Sequence, residues 1–396
     1  MNLPAPSALA VHWALDPRVV QLNHGSFGAT PRLVLERQHR LRLELEADPT
    51  GFFLRRLPAL LERTLETLAA FVGARPEDLA LVPNATTGVN TVLRSVELAD
   101  GDEVLLTDHE YPACRNAVFD RCRAAGARPV VARLPFPIDS EDEAVAAVVA
   151  GLGERTRLLL IDHVTSPSGL VLPVARIAQE ARSRGVAVLV DGAHAPGMVA
   201  LDVATLGVDW YAGNCHKWLC SPKGAGFLWV RPELRERLRP LVVSHGATAT
   251  EDRFRREFDW TGTFDPTAWL AVPAAIEVMG ALLDGGWPAV RRANRVLAET
   301  ARSLLCAGLG IAEPAPASML GSLAAVPLPP GDGRTVPPFG FDPVQDTLFE
   351  RFRIEAPVIT WLPDPPRVLR ISAQLYNSLD QYRHLAAALD ELLTDR

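Results

Sequence analysis

The stretch Val186-Ala187-Val188-Leu189-Val190 leads directly into Asp191-Gly192-Ala193-His194. Its five apolar residues, three of them valine, predict a short buried strand, and Asp-Gly is a typical turn sequence at the end of a strand. In sheets built from alternating strands and helices, ligands bind at the carboxyl ends of the strands. Asp191 is therefore a candidate ligand-binding carboxylate, with a turn that simply closes the strand as the alternative interpretation.

Similar apolar runs lie on both sides of this strand and alternate with amphipathic helical segments. The predicted strands are 103–107, 129–133, 157–162, 186–190, 209–212 and 226–230, and the predicted helices between them are 85–96, 113–125, 141–150 and 174–183. Because parallel strands need crossover connections, this alternation predicts an α/β fold with a largely parallel sheet and helices on both faces.

The alternation stops in the last third of the chain, which indicates a second domain. A helical region covers about 266–307, strands follow near 322–326, 357–360 and 368–372, and a helix over 378–394 closes the chain. Upstream, Thr30-Pro31 predicts the start of a helix that runs to about Ala47. We predict a large domain over 21–265, a smaller α+β domain over 266–396, and a segment 1–20 that packs on the smaller domain.

Composition excludes several classes of protein. The 396 residues are 48% hydrophobic, so the chain can bury a full core, and its net charge of −7 disfavours nucleic acid as a partner. No apolar stretch approaches the roughly 18 residues of a membrane span, and the first residues do not resemble a secretion signal. The five scattered cysteines predict neither a disulfide framework nor a metal site. We expect a cytoplasmic protein with reduced thiols.

A lysine flanked by aromatic and glycine-rich sequence is the second candidate group. It is Lys217, within Asn214-Cys215-His216-Lys217-Trp218 and ahead of Ser221-Pro222-Lys223-Gly224. Burial lowers the pKa of a lysine and frees the neutral amine for imine formation with an aldehyde. The alternative is a solvated surface lysine.

Two further segments have the residues that bind anions. Leu81-Val82-Pro83-Asn84-Ala85-Thr86-Thr87-Gly88 predicts a strand that turns into a helix, where free N–H groups and hydroxyls can hold a phosphate; simple capping by Asn84 or Thr86 is the alternative. Val368-Leu369-Arg370-Ile371-Ser372 places an arginine inside an apolar strand, and such a guanidinium usually binds a carboxylate of the protein or of a substrate.

Together these segments resemble the class V aminotransferase family of pyridoxal 5′-phosphate (PLP) enzymes, over nearly the whole chain from Asn23 to Leu393. The most specific elements are Asp-Gly-Ala-His at 191–194, His-Lys with Ser-Pro-Lys-Gly at 216–224, and Arg-Ile-Ser-Ala-Gln-Leu-Tyr-Asn at 370–377. The resemblance implies PLP as cofactor, an amino-acid substrate and PLP-dependent transferase fold type I. That fold has a mainly parallel seven-stranded sheet in the large domain.

The resemblance also implies roles for single residues. Lys217 would join the cofactor covalently, Asp191 would pair with its ring nitrogen, and His194 would lie beside its phenolic oxygen. Arg370 would bind the substrate carboxylate, with Asn23 and His24 as weaker substrate contacts. The further cofactor contacts would be Ser166, at a position where desulfurases have asparagine, and the phosphate-binding Ala85, Thr86, Asn214 and His216. In the family a Gly-Thr of the partner subunit also reaches the phosphate. Gly262-Thr263 is similar to that element, which implies a homodimer with a shared active site.

The ring that stacks on the cofactor could be that of His109 or Tyr111, in Asp108-His109-Glu110-Tyr111-Pro112. Desulfurases place a histidine at this point. The spacing to Gly126, which closes the next helix, and the proline after Tyr111 favour Tyr111, and His109 then becomes a nearby part of the pocket wall.

The sequence separates the possible reactions less well than it identifies the cofactor. A persulfide-forming desulfurase needs a mobile cysteine ahead of Arg370, and no cysteine follows Cys306. The segments 353–358 and 369–374 are more similar to the isopenicillin N epimerase branch of the family. We therefore predict an epimerase or racemase acting at Cα of an amino acid. A carbon–sulfur lyase, an aminotransferase and a non-catalytic binding protein are the alternatives.

Overall fold

The computed structural model describes residues 3–331, 340–360 and 367–394. The strands in these ranges are β1 (Val20–Gln21), β2 (Leu79–Val82), β3 (Glu103–Thr107), β4 (Arg128–Ala132), β5 (Thr156–Asp162), β6 (Ala187–Gly192), β7 (Trp210–Asn214), β8 (Gly226–Val230), β9 (Leu323–Pro327), β10 (Ile354–Glu355), β11 (Val358–Thr360) and β12 (Arg367–Ser372). The α-helices are α1 (His24–Phe27), α2 (Arg32–Ala47), α3 (Pro49–Gly51), α4 (Leu57–Val72), α5 (Ala85–Ser95), α6 (Pro112–Ala125), α7 (Glu141–Ala150), α8 (Val174–Ser183), α9 (Arg253–Asp259), α10 (Thr267–Leu270), α11 (Val272–Gly280), α12 (Gly286–Gly308), α13 (Pro343–Phe352) and α14 (Leu379–Thr394).

A seven-stranded sheet in the order β2-β8-β7-β6-β5-β3-β4 forms the centre of the molecule. Strand β8 runs antiparallel to its neighbours β2 and β7, and every other neighbouring pair in this sheet is parallel. The predicted α/β fold with a mainly parallel seven-stranded sheet is confirmed. The predicted strands from 103 to 230 match the observed ones to within two residues at each end.

The central strands are apolar because they are covered on both faces. Side chains alternate between faces along a strand, so Leu159 and Val188 join the core beneath α4 and α8, whereas Leu158, Leu160 and Leu189 join the core beneath α5 and α6. A strand with apolar residues at every position is stable only in such a sandwich. The apolar run 186–190 therefore predicts a strand in the middle of the sheet.

Local signals set the ends of the helices that lead into the site. Asn84 caps α5, since its Oδ1 accepts a hydrogen bond of 2.9 Å from the Thr87 N–H. Helix α6 begins at Pro112 and ends at Gly126, whose φ of 71° is left-handed. Helix α4 was not predicted from the sequence, although its Leu61, Leu65, Leu68 and Val72 are buried at helical spacing.

A second, antiparallel sheet in the order β11-β12-β9 brings Arg370 toward the first sheet. Its apolar face packs with α12, α13 and α14 around Leu348, Leu369 and Leu385. Near the chain start, the Ser7 N–H donates to the Tyr376 carbonyl at 3.0 Å. The indole N–H of Trp13 donates to the Ala29 carbonyl at 3.1 Å.

The division into 1–20, 21–265 and 266–396 stays a prediction, and its residues 1–2, 332–339, 361–366 and 395–396 lie outside the described ranges. Helices α10 and α11, which belong to its third part, pack against α2 and α4 of its second part. Among the described helices, none combines the length and apolar character that crossing a bilayer requires.

Gly28 carries a testable prediction about how α1 is held against the site. Its φ is +72°, and a Cβ there would overlap the His216 carbonyl oxygen and lie 3.0 Å from Lys217 Cα. We expect Gly28→Ala to lower the free energy of unfolding by about 3 kcal/mol, the sum of backbone strain and overpacking.

Gly185 offers a matched control, because it has the same φ of +72° but open space around it: a Cβ there would meet no atom of a non-adjacent residue within 4 Å. Gly185→Ala should lower the free energy of unfolding by only about 1 kcal/mol, the backbone cost alone. Urea denaturation followed by circular dichroism measures both values. Equal losses for the two variants would contradict the close approach of Gly28 to the Lys217 segment.

Candidate active site

The carboxyl ends of the parallel strands converge on one cavity of about 180 Å³. Asp162 ends β5, Asp191 lies at the end of β6, and Asn214 ends β7, three residues before Lys217. The cavity is lined by Ser26, Phe27, Asn84, Thr86, Tyr111, Asp162, Ser166, Asp191, Ala193, His194, Asn214, His216 and Lys217. We call it the inner cavity.

Lys217 is held by His194, which is itself oriented by Trp218. Lys217 Nζ lies 3.0 Å from His194 Nε2, and the Trp218 indole nitrogen lies 3.2 Å from His194 Nδ1. An indole N–H only donates, so Nδ1 is the acceptor and the proton of the neutral ring is on Nε2. That N–H points at Lys217 Nζ, which can accept it only as a neutral amine.

The electrostatics of the cavity shift both groups toward this neutral pair. Burial, followed by the nearby guanidinium of Arg370, lowers the pKa of Lys217 from 10.5 to about 8, although Asp191 opposes this shift. Burial also lowers the pKa of His194 well below its ordinary value. Lys217 is therefore a poised nucleophilic amine instead of the solvated lysine of the alternative interpretation.

Asp191 faces the same cavity and accepts two hydrogen bonds. Its Oδ1 accepts from the Ala193 N–H at 2.9 Å, and its Oδ2 accepts from the Cys114 thiol at 3.1 Å. Burial raises the pKa of this carboxyl group, while the two donors and Lys217 lower it. Both donors favour the ionised form, which is the form that can pair with a protonated ring nitrogen.

The start of α5 supplies an anion-binding N–H group. Three of the first four N–H groups of the helix have acceptors. Ala85 donates to Asn214 Oδ1 at 2.8 Å, Thr87 donates to Asn84 Oδ1, and Gly88 donates to the Asn84 carbonyl. The Thr86 N–H is the one for which the described chain shows no acceptor, and Thr86 lines the inner cavity. A phosphate there would also benefit from the helix dipole.

Arg370 lies in a second, outer cavity of about 700 Å³ that shares Ser26, Phe27, Tyr111, Ser166 and Lys217 with the inner one. It donates to the Ser166 carbonyl at 2.7 Å and to Ser26 Oγ at 2.8 Å, and more weakly to Asn23 Oδ1 at 3.3 Å. Among the described residues, no carboxylate pairs with it. Burial lowers the pKa of Arg370 to about 10, so it remains a cation at neutral pH.

The structure brings most of the predicted site residues to these cavities, with some exceptions. His24 lines neither cavity, because its ring is buried between the Tyr376 hydroxyl and the Lys217 carbonyl, each 3.0 Å away. Ala85 and Asn23 do not line them either: the Ala85 N–H is already bonded to Asn214, and Asn23 Oδ1 accepts from Arg370 at 3.3 Å. Thr263 lines a separate apolar pocket beside Leu81 and Thr87.

The two candidate stacking rings lie in different surroundings. Tyr111 is 42% exposed and lines both cavities. His109 is fully buried, and its ring nitrogens lie 2.9 Å from Ser168 Oγ and 3.1 Å from the Leu134 carbonyl oxygen. The side chain that can reach a ligand in the inner cavity is therefore that of Tyr111.

Three acidic groups behind Asp191 were not predicted from the sequence: Glu110, Cys114 and Asp162. The ligand atoms of Glu110, Cys114 and Asp191 lie within 4.8 Å of one another. The expectation of no metal site stays a prediction. Asp162 could have been found by the rule that identified Asp191, because it also ends an apolar strand.

The chain also carries a compositional signal for Lys217. Only two of its 40 basic residues are lysines, Lys217 and Lys223, and the rest are arginines. Because arginine cannot supply a titratable primary amine, these two lysines are the candidates for an amine nucleophile, and of the two only Lys217 lines the inner and outer cavities.

The inner cavity fits PLP. Lys217 offers the amine that condenses with an aldehyde, Asp191 offers an anion with two donors of its own, and the Thr86 N–H offers a site for a phosphate. Fold and site together define the class of PLP-dependent enzymes of fold type I.

Comparisons with known proteins give the family. The model of aminotransferase class-V matches residues 53–334, and the chain belongs to this family. It is 41% identical over 393 residues to isopenicillin N epimerase of Streptomyces clavuligerus, covering 96% of both chains. It is 31% identical over 417 residues to a putative L-cysteine desulfhydrase of Oryza sativa, covering 96% of this chain and 86% of that one.

A solved structure shows the same fold. The cystine C–S lyase C-DES, in complex with cysteine persulfide, matches 95% of this chain and 98% of its own with a TM-score of 0.77 and 23% identity. The resemblance to the class V family and the predicted fold type I are confirmed, and PLP is the cofactor of this fold.

The neutral amine of Lys217 predicts a pH profile in the protein free of cofactor. We expect the rate of reductive methylation of Lys217 by formaldehyde to rise with pH and to reach half its maximum near pH 8, as the amine loses its proton. Peptide mass spectrometry over pH 6 to 11 measures the rate, with the exposed Lys223 as internal reference. A midpoint above pH 10 would contradict the assignment. Trp218→Phe should move it upward, because the indole N–H no longer fixes the His194 tautomer.

Proposed function

We propose that this chain is a PLP-dependent epimerase or racemase that inverts Cα of an amino-acid substrate. The observation that carries the proposal is the position of Lys217. It lies on the border shared by the inner cavity, which contains Asp191, and the outer cavity, which contains Arg370. The 41% identity to an isopenicillin N epimerase over nearly the full chain supports this reaction.

The residues of the two cavities have separable tasks. The bound cofactor supplies an electron-accepting ring that stabilises the negative charge left at Cα when its proton is removed. Lys217 and Asp191 would hold its reactive carbon and its ring nitrogen, and Thr86, Asn214 and His216 line the wall where its phosphate would bind. Arg370 binds the substrate carboxylate and so fixes which bond of Cα faces Lys217.

Lys217 is then the base at Cα. An amine whose pKa is near 8 can accept the Cα proton around neutral pH. Inversion then requires that a second group or water deliver a proton to the opposite face of Cα. The N–H of His194 keeps the lone pair of Lys217 oriented, as the 3.0 Å contact between the two nitrogens indicates. Lys217 is 9% exposed, so the proton transfer at Cα takes place in a largely desolvated site.

A carbon–sulfur lyase is the second candidate. It begins with removal of the same Cα proton, and the 31% identity to a putative L-cysteine desulfhydrase favours it over transamination. The two reactions differ in whether a β-substituent leaves, so the products distinguish them.

We also propose a homodimer with a shared active site and a cytoplasmic location. Supporting the dimer, the chain exposes Phe27 by 73% at the rim of both cavities and Leu54 by 72%, and Thr263 lies apart from Lys217 in its own chain. Supporting the location, all five cysteines are buried free thiols.

Isotope exchange tests the reaction. In deuterated water, the holoenzyme should incorporate deuterium at Cα of its substrate and yield both configurations, without releasing pyruvate or a thiol. Isopenicillin N and a panel of L-amino acids are the substrates to screen by mass spectrometry and chiral chromatography. Elimination products would establish the lyase instead, and a colourless protein that does not bind PLP would revive the non-catalytic alternative. Lys217→Ala should abolish exchange.

Arg370 gives a prediction for substrate binding. Arg370→Gln should raise KM for the exchanging amino acid by about 10- to 100-fold, because the hydrogen bonds of a guanidinium to a carboxylate are lost. Cofactor content, read from absorbance, should stay unchanged. Arg370→Lys should lose less, since it keeps the charge. If cofactor content fell together with substrate affinity, the role of Arg370 would be structural.

A further inference from the structure

Two carboxyl groups behind Asp191 have no task in the proposed reaction. Glu110 follows β3 and is 4% exposed, and Asp162 ends β5 and is 2% exposed. Asp162 is directly paired with Asp191 in the register of β5 and β6, so their side chains leave neighbouring strands on the same face of the sheet. Glu110 lies on the outer-cavity side and Asp162 on the inner-cavity side.

The contacts of these groups require a proton between them. Both oxygens of Glu110 and Oδ2 of Asp162 are buried, and none has a hydrogen-bond donor among the described residues. Both groups nevertheless cluster around Asp191: a carboxylate oxygen of Glu110 lies within 4.8 Å of one of Asp191, and Asp162 is the register partner of Asp191. Two carboxylate oxygens can share a hydrogen bond only if one of the groups is protonated.

The surroundings decide which group holds the proton. Asp191 already accepts from the Ala193 N–H and the Cys114 thiol, so it is the most readily ionised of the three carboxyl groups. Burial and the two neighbouring carboxylates raise the pKa of Glu110 well above its ordinary value. Burial and Asp191 raise the pKa of Asp162 too, but Lys217 and the hydrogen bond from Glu110 oppose that shift. Besides these groups, the Cys114 thiol is the titratable side chain that acts on the pair, and burial keeps it protonated.

We propose that Glu110 holds one proton and donates it to an ionised Asp162, and that this buried anion, acting through Asp191, keeps the ring nitrogen of the cofactor protonated. Glu110 and Asp162 are positioning residues, since neither is the direct partner of the ring nitrogen. The inference rests on the proposed function, because it takes the ring nitrogen to lie at Asp191. A second negative charge beside Asp191 matters because a charge acts strongly over a few ångströms in a dry cavity.

Amide variants separate the two roles. Asp162→Asn removes the charge, whereas Glu110→Gln replaces the shared proton by an amide N–H and leaves Asp162 ionised. Holoenzyme reconstituted with PLP carrying ¹⁵N in its ring reports the protonation of that nitrogen by NMR over pH 6 to 9. We expect Asp162→Asn to weaken proton binding at the nitrogen by about tenfold or more, one pH unit in its titration. Glu110→Gln should stay within about twofold of the unmodified chain. Identical titrations of Asp162→Asn and the unmodified protein would overturn the proposal.

A second measurement requires neither bound cofactor nor a folded Asp162→Asn variant. Infrared spectroscopy of the cofactor-free protein at pH 8 should show the carbonyl stretch of a protonated carboxylic acid, and Glu110→Gln should lack that band. Its absence from the unmodified protein would overturn the proposal. So would a stoichiometric metal ion that the unmodified protein retains and Glu110→Gln loses, since a metal would then replace the proton. If the band is present but PLP does not bind, the proposed function fails and the shared proton stands.

Discussion

The site depends on keeping one amine neutral inside a cavity that it shares with an ionised carboxylate. Simple attraction would make Lys217 and Asp191 an ordinary ion pair, with the amine protonated and unreactive. Burial acts against this, and the chain adds a directional contact: the Trp218 N–H donates to His194 Nδ1 and fixes the tautomer, so the single N–H of His194, on Nε2, points at the amine. Asp191 is meanwhile occupied by the Ala193 N–H and the Cys114 thiol. Each member of the pair has its own partners, so neither needs the other's proton.

Two buried arginines on the same strand show how the protein distinguishes structure from function. Arg367 and Arg370 both lie on β12, and both are nearly inaccessible to solvent. Arg367 donates from one nitrogen to both oxygens of Asp342 at 3.1 Å, so its charge is balanced by that carboxylate. Arg370 has only neutral acceptors in the described chain, and its Nε has none. A buried cation without an anion is costly unless a ligand supplies one, which is why the second arginine and not the first indicates a substrate carboxylate.

Much of this architecture follows from the sequence, and the exceptions have a physical pattern. Runs of apolar residues such as 186–190 predict central strands because only a sheet covered on both faces tolerates them, and the ends of such strands lead to Asp191 and Lys217. The sequence of one strand does not show which residues of the neighbouring strands its end will contact. Asp162 ends β5 and Glu110 follows the neighbouring strand β3, so the fold brings them together although they lie 52 positions apart in the chain. From the sequence His24 is a polar residue in a turn, yet in the folded chain its ring is buried behind Lys217. Helix α4 is an exception of another kind, because its apolar residues at helical spacing did offer a local signal.

The contents of the two cavities also indicate which of them would hold the cofactor and which the substrate. Asp191 and the Thr86 N–H lie in the inner cavity, and Arg370 lies in the outer one. A cofactor that binds through both its ring nitrogen and its phosphate would therefore lie in the inner cavity. A substrate that binds through its carboxylate would lie in the outer cavity. Lys217 belongs to both walls, so in the proposed reaction the atom between cofactor and carboxylate, which is Cα, would lie beside its amine. The outer cavity is several times larger than the inner one, at about 700 Å³ against about 180 Å³. Under the proposed function, the small inner cavity would restrict the chemistry at Cα, and the larger outer cavity would accommodate the substrate side chain.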